Sequence, residues 1–201
     1  MDNNHKMWSD LGMNLELHDQ LCEVLPQAFG DVFLSQENRP EGMDYYNMVV
    51  ADIHGIRPAE LIEHQNKGGK VFGTFCVYVP DEVIFAADAI ATGLCGGSQF
   101  WVPGGEKVLP TNTCPLIKAS VGARLDRTCP FFRIADMYIG ETTCDGKKKA
   151  WEILSEDVPV YVMDLPQMKR AKDVKAWAEE IEALKEKVEE FTGNKVTAEK
   201  L

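Results

Sequence analysis

Cysteine is the residue type in this chain of 201 residues whose number and spacing most clearly indicate chemistry. Five of the six cysteines follow one another at intervals of 19, 19, 15 and 15 residues, each near the end of an apolar run or in a turn that opens a predicted helix. A parallel α/β sheet gathers such turns along one edge, where residues distant in sequence meet in a crevice. The pattern predicts a metal site formed by Cys76, Cys95, Cys114, Cys129 and Cys144.

The spacing of the cysteines also indicates which metal they would bind. The chain has no Cys-x-x-Cys pair and no finger-type spacing of cysteine and histidine, so a zinc ribbon or a thioredoxin-like motif has little support. Thiolates that come singly from several loops suit an iron–sulfur cluster, whose irons take ligands from different directions. The alternative is that the cysteines are small buried residues, as free cysteines often are. Five cysteines in this register favour the cluster.

Composition and charge limit the class of protein. The net charge of -11 and a pI near 4.8 argue against nucleic acid as a partner, because phosphates need a basic surface. Residues 1–11 contain no apolar signal region, and no apolar run is long enough to span a membrane. We therefore expect a cytoplasmic protein without a membrane partner, in which the cysteines stay reduced.

Apolar runs that alternate with helical patterns indicate the elements that would position the cysteines. Strands are predicted at 71–79, 99–102, 133–139 and 158–163, with a shorter one at 48–53. Helices are predicted at 57–67, 80–92, 115–125 and 147–154. This alternation predicts an α/β fold: a parallel, Rossmann-like sheet with helices on both faces and the cysteines at the C-terminal strand edge.

Three regions are expected along the chain: a mainly helical N-terminal region at 1–44, an α/β cluster-binding domain at 45–168, and a long helix within 169–201. The long helix has an apolar seam at intervals of three and four residues. The seam either covers the chain's own sheet or makes the helix a connector to a second domain or partner. Its residues are Val174, Trp177, Ile181, Leu184, Val188 and Phe191.

Three segments of the chain carry a resemblance to a known family: GTFCVYVPDE at 73–82, TCPLIK at 113–118 and GETTCDGKKK at 140–149. Together they resemble the 2-hydroxyacyl-CoA dehydratase and benzoyl-CoA reductase family over most of 45–168. The resemblance implies that Cys76, Cys114 and Cys144 bind a [4Fe–4S] cluster.

Two more segments refine the resemblance: GLCGG at 93–97, with Cys95, and RTCPF at 127–131, with Cys129. These cysteines are similar to those of the double-cubane reductases, in which two cubanes share a sulfide as an [8Fe–9S] cluster. The resemblance implies ATP-dependent reduction of small substrates at low potential. The first alternative is a subunit of a 2-hydroxyacyl-CoA dehydratase with one [4Fe–4S] cluster, and the second is a non-catalytic electron-transfer or cluster-carrier subunit.

The resemblance also implies partners. The chain looks like the N-terminal half of a family member, and a sixth cluster ligand would come from a missing portion or, as the alternative, from Cys22. A separate ATP-hydrolysing iron–sulfur activase would supply electrons, in keeping with the lack of a phosphate-binding Gly-rich loop. A homo- or hetero-oligomer is expected.

Other residues are weaker candidates. Lys147, Lys148 and Lys149 lie in a first helical turn, where cations oppose the helix dipole, so they either compensate an anionic group or form a solvated charge run. Glu82 is a weak catalytic candidate as a proton donor, together with Asp81, although acids are common in first turns. The four histidines are predicted to be scattered without ligand spacing, and Tyr78 and Trp101 are predicted to pack. No catalytic residue is otherwise identified.

Overall fold

A computed structural model describes residues 3–51, 53–75, 78–94 and 96–201 of the chain. Within these residues, four short parallel strands form one sheet with the order β2-β1-β3-β4. The strands are β1 (Val71–Thr74), β2 (Ile90–Gly93), β3 (Met137–Glu141) and β4 (Val160–Met163).

Ten α-helices occur in the described residues, with a π-helical turn at Gly30–Leu34 and a 3₁₀ turn at Gln99–Trp101. The first five are α1 (Asn3–Asp10), α2 (Leu15–Phe29), α3 (Met43–Ala51), α4 (Ile56–Asn66) and α5 (Asp81–Ala86). The others are α6 (Val102–Gly105), α7 (Pro115–Leu125), α8 (Pro130–Ile134), α9 (Asp145–Leu154) and α10 (Ala171–Thr192). None of these helices is long and apolar enough to cross a membrane.

Helices cover both faces of the sheet, as the alternation of the sequence predicts. On one face Tyr138 of β3 packs with Phe132 of α8 and Trp151 of α9. On the other face Phe72 of β1 packs in a cluster that includes Leu184 of α10. Strands buried from both sides are typical of parallel sheets, and the predicted fold class is confirmed.

Two of the predicted strands are wrong. The segment 99–102 forms the 3₁₀ turn and the start of α6, and the segment 48–53 begins within α3. The strand that forms here is β2, whose first three residues fall within the segment predicted as a helix at 80–92. That helix ends early as α5, and the chain turns into β2 through Asp88, whose φ of 58° is left-handed. Short apolar runs do not show a period that distinguishes strand from helix.

Helix α10 covers the chain's own sheet through its C-terminal half. Leu184 and Val188 are fully buried against the sheet, and Gly193 ends the helix in the left-handed conformation. Val174, near the start of the helix, is 63% exposed. The first interpretation of the apolar seam therefore holds for the second half of α10, while a connector role for the region 169–201 stays a prediction.

The N-terminal region contains α1 and α2, and it is attached to the α/β unit at the connection between α7 and β3. The Asn14 amide donates to the Arg127 carbonyl at 2.8 Å, and Arg133 Nε donates to the Leu11 carbonyl at 2.9 Å. These contacts place α1 and α2 beside α8.

Candidate functional site

The order of the strands identifies the edge at which a ligand would bind. Strand β1 lies between β2 and β3, so the order in which the strands are added to the sheet reverses at β1. Just beyond β1, the Phe75 amide donates to the Ile139 carbonyl of β3 at 3.3 Å. In open α/β sheets, ligands bind outside the carboxyl ends of the strands at such a point. The functional site is therefore sought in the loops that follow β1 and β3.

Cys114 and Cys144 are the N-cap residues of α7 and α9, and both are exposed. The two helix starts lie side by side at Gly146. A Cβ atom at Gly146 would lie 2.8 Å from Ile117 Cδ1, which would have to shift, and 3.9 Å from Cys144 Sγ, an ordinary contact distance. Neither helix start has a side-chain cap. The first backbone amides of both helices can therefore donate hydrogen bonds to an anionic ligand. We call these two cysteines with their helix starts the thiol edge.

Cys129 lies elsewhere. The amide of Thr128 donates to the carbonyl of Ala123 at 3.4 Å, so Cys129 follows the carboxyl end of α7, whereas Cys114 caps its amino end. The 11 residues of α7 span about 16 Å along the helix axis. Cys129 is 7% exposed and belongs to the core. The structure thus separates Cys129 from the thiol edge, which differs from the expectation that the cysteines share one edge, and its role as an iron ligand stays a prediction.

Cys76 and Cys95 lie outside the described residues, and their roles as ligands also stay predictions. The described residues beside them belong to the carboxyl ends of β1 and β2: the Leu94 amide donates to the Thr74 carbonyl at 2.9 Å. After this point Gly96, with a φ of 66°, lies so close to α7 that a Cβ atom would be 2.8 Å from the Ser120 amide nitrogen. Only glycine allows this approach of the loop to the helix.

Two open cavities lie at the same end of the sheet, one of about 680 Å³ and one of about 470 Å³. Tyr78 and Trp177 line both cavities. Tyr78 is 42% exposed, so the prediction that it packs is wrong, whereas Trp101 is buried as predicted and donates to Thr128 Oγ1. Thr143, the neighbour of Cys144, lines the smaller cavity. The cavities provide room for a ligand next to the thiol edge.

The acidic candidates line the larger cavity. Asp81 and Glu82 begin α5 at its wall, beside Gly93 at the end of β2. Partial burial, with a smaller contribution from the charge of Glu82, raises the pKa of the Asp81 carboxyl above its ordinary value. Asp81 is therefore the better proton donor of the two by environment, although both face the same space.

The three consecutive lysines all pair with carboxylates of the protein. Lys147 forms an ion pair with Glu141, a fully buried residue at the end of β3. Lys148 pairs with Asp145 and Lys149 with Glu152, both on the surface of α9. The hydrogen bond and charge of Glu152 raise the pKa of Lys149. Lys147 thus neutralises a buried carboxylate, while the other two lysines are part of a solvated face.

A cluster of possible metal ligands lies in the N-terminal region, where the sequence analysis predicted scattered histidines. His18 Nε2, Cys22 Sγ and a ring nitrogen of His54 all lie within 4.8 Å of one another. The prediction of no ligand spacing is wrong here: His18 and Cys22 are four residues apart on α2, a spacing that places two side chains on one face of a helix. His54 could not have been added from local spacing, because it is 36 residues from His18. We call these three residues the HCH triad.

Comparison with known proteins identifies the family of the chain. The model of the family described as 2-hydroxyglutaryl-CoA dehydratase, D-component, matches residues 76–201, which is more than half of the chain. Over 142 residues the chain is 39% identical to a protein of Escherichia coli (strain K12) named "Putative dehydratase subunit YjiM". That match covers 70% of this chain but 37% of the relative, so the chain corresponds to little more than a third of that protein. The chain belongs to the 2-hydroxyglutaryl-CoA dehydratase D-component family.

Proposed function

We propose that the chain is the cluster-binding part of a 2-hydroxyacyl-CoA dehydratase, with a [4Fe–4S] cluster held by Cys76, Cys114 and Cys144. The observation that supports this proposal is the thiol edge: two exposed cysteines begin neighbouring helices at the point where ligands bind in parallel sheets. The family match supports the dehydratase chemistry.

The residues of the thiol edge fit an iron–sulfur cluster. Cys114 and Cys144 are free thiols that come from separate loops, and thiolates are the usual ligands of cluster iron. The uncapped starts of α7 and α9 offer amide donors to an anionic group, and such hydrogen bonds tune reduction potential. When bound, the cluster would supply transfer of single electrons at low potential.

The chain's own residues would bind and orient the substrate. Tyr78 and Trp177 offer aromatic surface to both cavities beside the thiol edge, and Lys169 lines the smaller cavity and could pair with a phosphate of a coenzyme A thioester. Asp81, whose carboxyl is held in its neutral form to higher pH by burial, would hold a proton near the hydroxyl that leaves as water. Glu82 is the second candidate for this role.

The proposal includes a covering partner. Around the thiol edge, Leu116 is 44% exposed and Met168 is 58% exposed, which leaves apolar surface in water beside the proposed cluster. We propose that a second α/β domain or another subunit covers this surface and excludes water. An ATP-hydrolysing activase would deliver electrons from outside, in the cytoplasm, where thiols stay reduced.

A double-cubane reductase is the second candidate function. The loop after β2, which contains Cys95, packs against α7 at Gly96, and this contact favours a further thiolate close to the thiol edge. The separation of Cys129 from Cys114 argues against five ligands in one cluster. For this reason the single [4Fe–4S] cluster is the first choice.

Counting iron distinguishes the two candidates. The chain, purified without oxygen and reconstituted with iron and sulfide, is expected to hold four irons and four sulfides per chain. More than four irons would favour the double cubane. Stoichiometric zinc at the thiol edge without any sulfide would contradict both candidates.

The number of electrons consumed per product molecule also distinguishes a dehydratase from a reductase. Loss of water from a 2-hydroxyacyl-CoA leaves the substrate at the same overall oxidation level, so a dehydratase should consume far fewer electrons than it forms product molecules. A reductase must consume electrons in proportion to product. The measurement uses the chain with its second domain or subunit and an activase, and follows reductant oxidised per product formed. Clusters that exchange electrons without any product would instead indicate a cluster carrier.

A further inference from the structure

The HCH triad brings three different ligand atoms to one point between two helices. His18 is fully buried on α2, Cys22 follows one turn later, and His54 lies in the turn before α4. His18 Nε2 is 2.9 Å from His54 Nδ1, and Cys22 Sγ is 3.7 Å from His18 Nε2. Cys22 Sγ is also 3.8 Å from His18 Nδ1, so the sulfur lies beside the His18 ring, while Nε2 faces the second imidazole.

These distances are close to those between the ligands of a tetrahedral metal ion. With metal–nitrogen bonds of about 2.0 Å and metal–sulfur bonds of about 2.3 Å, ligand nitrogens lie roughly 3.3 Å apart and nitrogen and sulfur roughly 3.6 Å apart. Binding of an ion would require the Cys22 side chain to move from beside the His18 ring towards Nε2. The spacing of four residues on α2 already brings the sulfur next to His18.

The surroundings hold the two histidines in place. The Trp8 indole N–H donates to the His54 carbonyl at 2.8 Å, and the Trp8 ring packs on His18 with centroids 4.2 Å apart. Asn14 caps α2 by accepting from the Leu17 amide at 3.3 Å, which fixes the first turn that precedes His18. Such supporting contacts orient metal ligands and are as characteristic of metal sites as the ligands themselves.

Burial also favours the form of the histidines that binds metal. Burial, and then the nearby His18, lowers the pKa of His54 to about 4, and burial lowers the pKa of His18. Both imidazoles are therefore neutral at physiological pH, with lone pairs available for a metal. Burial raises the pKa of the Cys22 thiol, so its proton would be released when the metal binds.

We propose that His18, Cys22 and His54 bind a single transition-metal ion of the zinc type, with a fourth position left for water or another ligand. Two imidazoles and one thiolate form a donor set that suits Zn²⁺. The ion would tie α2 to the turn before α4 and so fix the N-terminal region beside α8, where His54 also packs against Phe131. The triad lies outside residues 76–201, which match the dehydratase family, and the proposal does not rest on the proposed function.

The experiment uses Co²⁺ as a spectroscopic substitute for Zn²⁺. The full chain is first reconstituted with iron and sulfide so that its cluster ligands are occupied, and then titrated with Co²⁺ without oxygen. We expect one equivalent of Co²⁺ to bind, with an absorption band for charge transfer from thiolate to metal. Cys22→Ser should remove that band, and His54→Gln should weaken binding at least tenfold.

His5→Gln is the matched control. His5 also packs against Trp8, with ring centroids 5.1 Å apart, but it is not one of the three ligands. This variant should bind Co²⁺ like the unsubstituted chain. A band that persists in both Cys22→Ser and His54→Gln would overturn the proposal.

X-ray absorption at the zinc edge provides a test without variants. The zinc-loaded chain should show two nitrogen neighbours and one sulfur neighbour. A first shell of sulfur alone would mean that zinc occupies cysteines elsewhere, and the proposal would then be wrong. The same experiment remains valid if a variant fails to fold or if no iron–sulfur cluster assembles, because the mixed shell can be distinguished from a thiolate site.

Discussion

The thiol edge and the HCH triad both offer cysteine sulfur, but they present it in opposite ways. Cys114 and Cys144 are exposed at the starts of separate helices, with open cavities nearby. Cys22 lies half-buried beside His18, which is fully buried and contacts His54. Single thiols on an open edge leave room for a multi-iron cluster and a covering partner, whereas a closed group of three side chains has room for one ion.

The two regions also differ in how they stabilise charge. At the thiol edge the donors are backbone amides at uncapped helix starts, which favour an anionic group of considerable size. At the triad the neighbours are aromatic rings and a carbonyl that already accepts a hydrogen bond. A cluster and a single cation are therefore expected at different sites, and the following predictions test this separation.

The largest effect is expected for Cys144→Ser. This change removes a soft ligand from an iron, so the reconstituted variant should retain little or no cluster. Iron, sulfide and visible absorption are measured per chain after anaerobic reconstitution. Cys22→Ser is the matched control and should retain the full iron content. Equal loss of iron in both variants would make Cys22 a cluster ligand and remove the distinction between the two regions.

Alkylation of the metal-free chain should rank the cysteines by exposure. Cys114 and Cys144 are exposed and should react on the order of tenfold faster, or more, than Cys129, which reacts only when the core opens. Timed labelling followed by mass spectrometry of peptides provides the rates. Reconstitution of the cluster should protect the first two cysteines. Labelling of Cys129 as fast as Cys114 would contradict its burial in the core.

Lys147→Ala tests whether the lysines belong to the cluster site or to the sheet. It leaves the fully buried carboxylate of Glu141 without its cation, and we expect it to lower the free energy of unfolding by about 3 kcal/mol. Lys149→Ala, which breaks a pair exposed on both sides, should leave it almost unchanged. Denaturant unfolding of the metal-free chain measures both. If both variants lost a similarly small part of the free energy of unfolding, Lys147 would not act by neutralising Glu141.

The smallest effect concerns the stability of the chain at low pH, through a carboxylate near the end of α10. Glu189 accepts from Lys195, from Lys185 and from the Val196 amide, and these contacts lower the pKa of its carboxyl from 4.5 to about 2. The stabilisation is complete above pH 4.5 and is lost as the pH falls from there towards 2.

Thermal unfolding of Glu189→Gln measures this contribution. The variant should melt below the unsubstituted chain at neutral pH, and the difference should shrink as the pH falls from about 4.5 towards 2. Glu190→Gln, a change at the exposed neighbouring residue, is the control and should show little difference at any pH. A difference for Glu189→Gln that stays constant through this pH range would contradict the lowered pKa.

Several elements near the thiol edge could be predicted because their signals are local. Pro115 begins α7 where the sequence predicts it, and α9 begins at Asp145, two residues before the predicted start. Cys144 follows β3 and precedes α9, so its place at the carboxyl edge of the sheet could be predicted from the sequence. Cys114 follows α6 and not the strand predicted at 99–102, so the approach of the start of α7 to Gly146 could not be predicted.

Local sequence patterns were sufficient to predict the parallel α/β class, the helices that follow Cys114 and Cys144, and the apolar seam of α10. Three features depended on how the whole chain folds: the pairing of β2 with β1, the burial of Cys129 beyond the far end of α7, and the contact between His54 and His18. The reason is the range of the interactions. Helix caps and periodic seams act over a few residues, whereas strand order, the burial of Cys129 and a contact over 36 residues depend on how the whole chain packs.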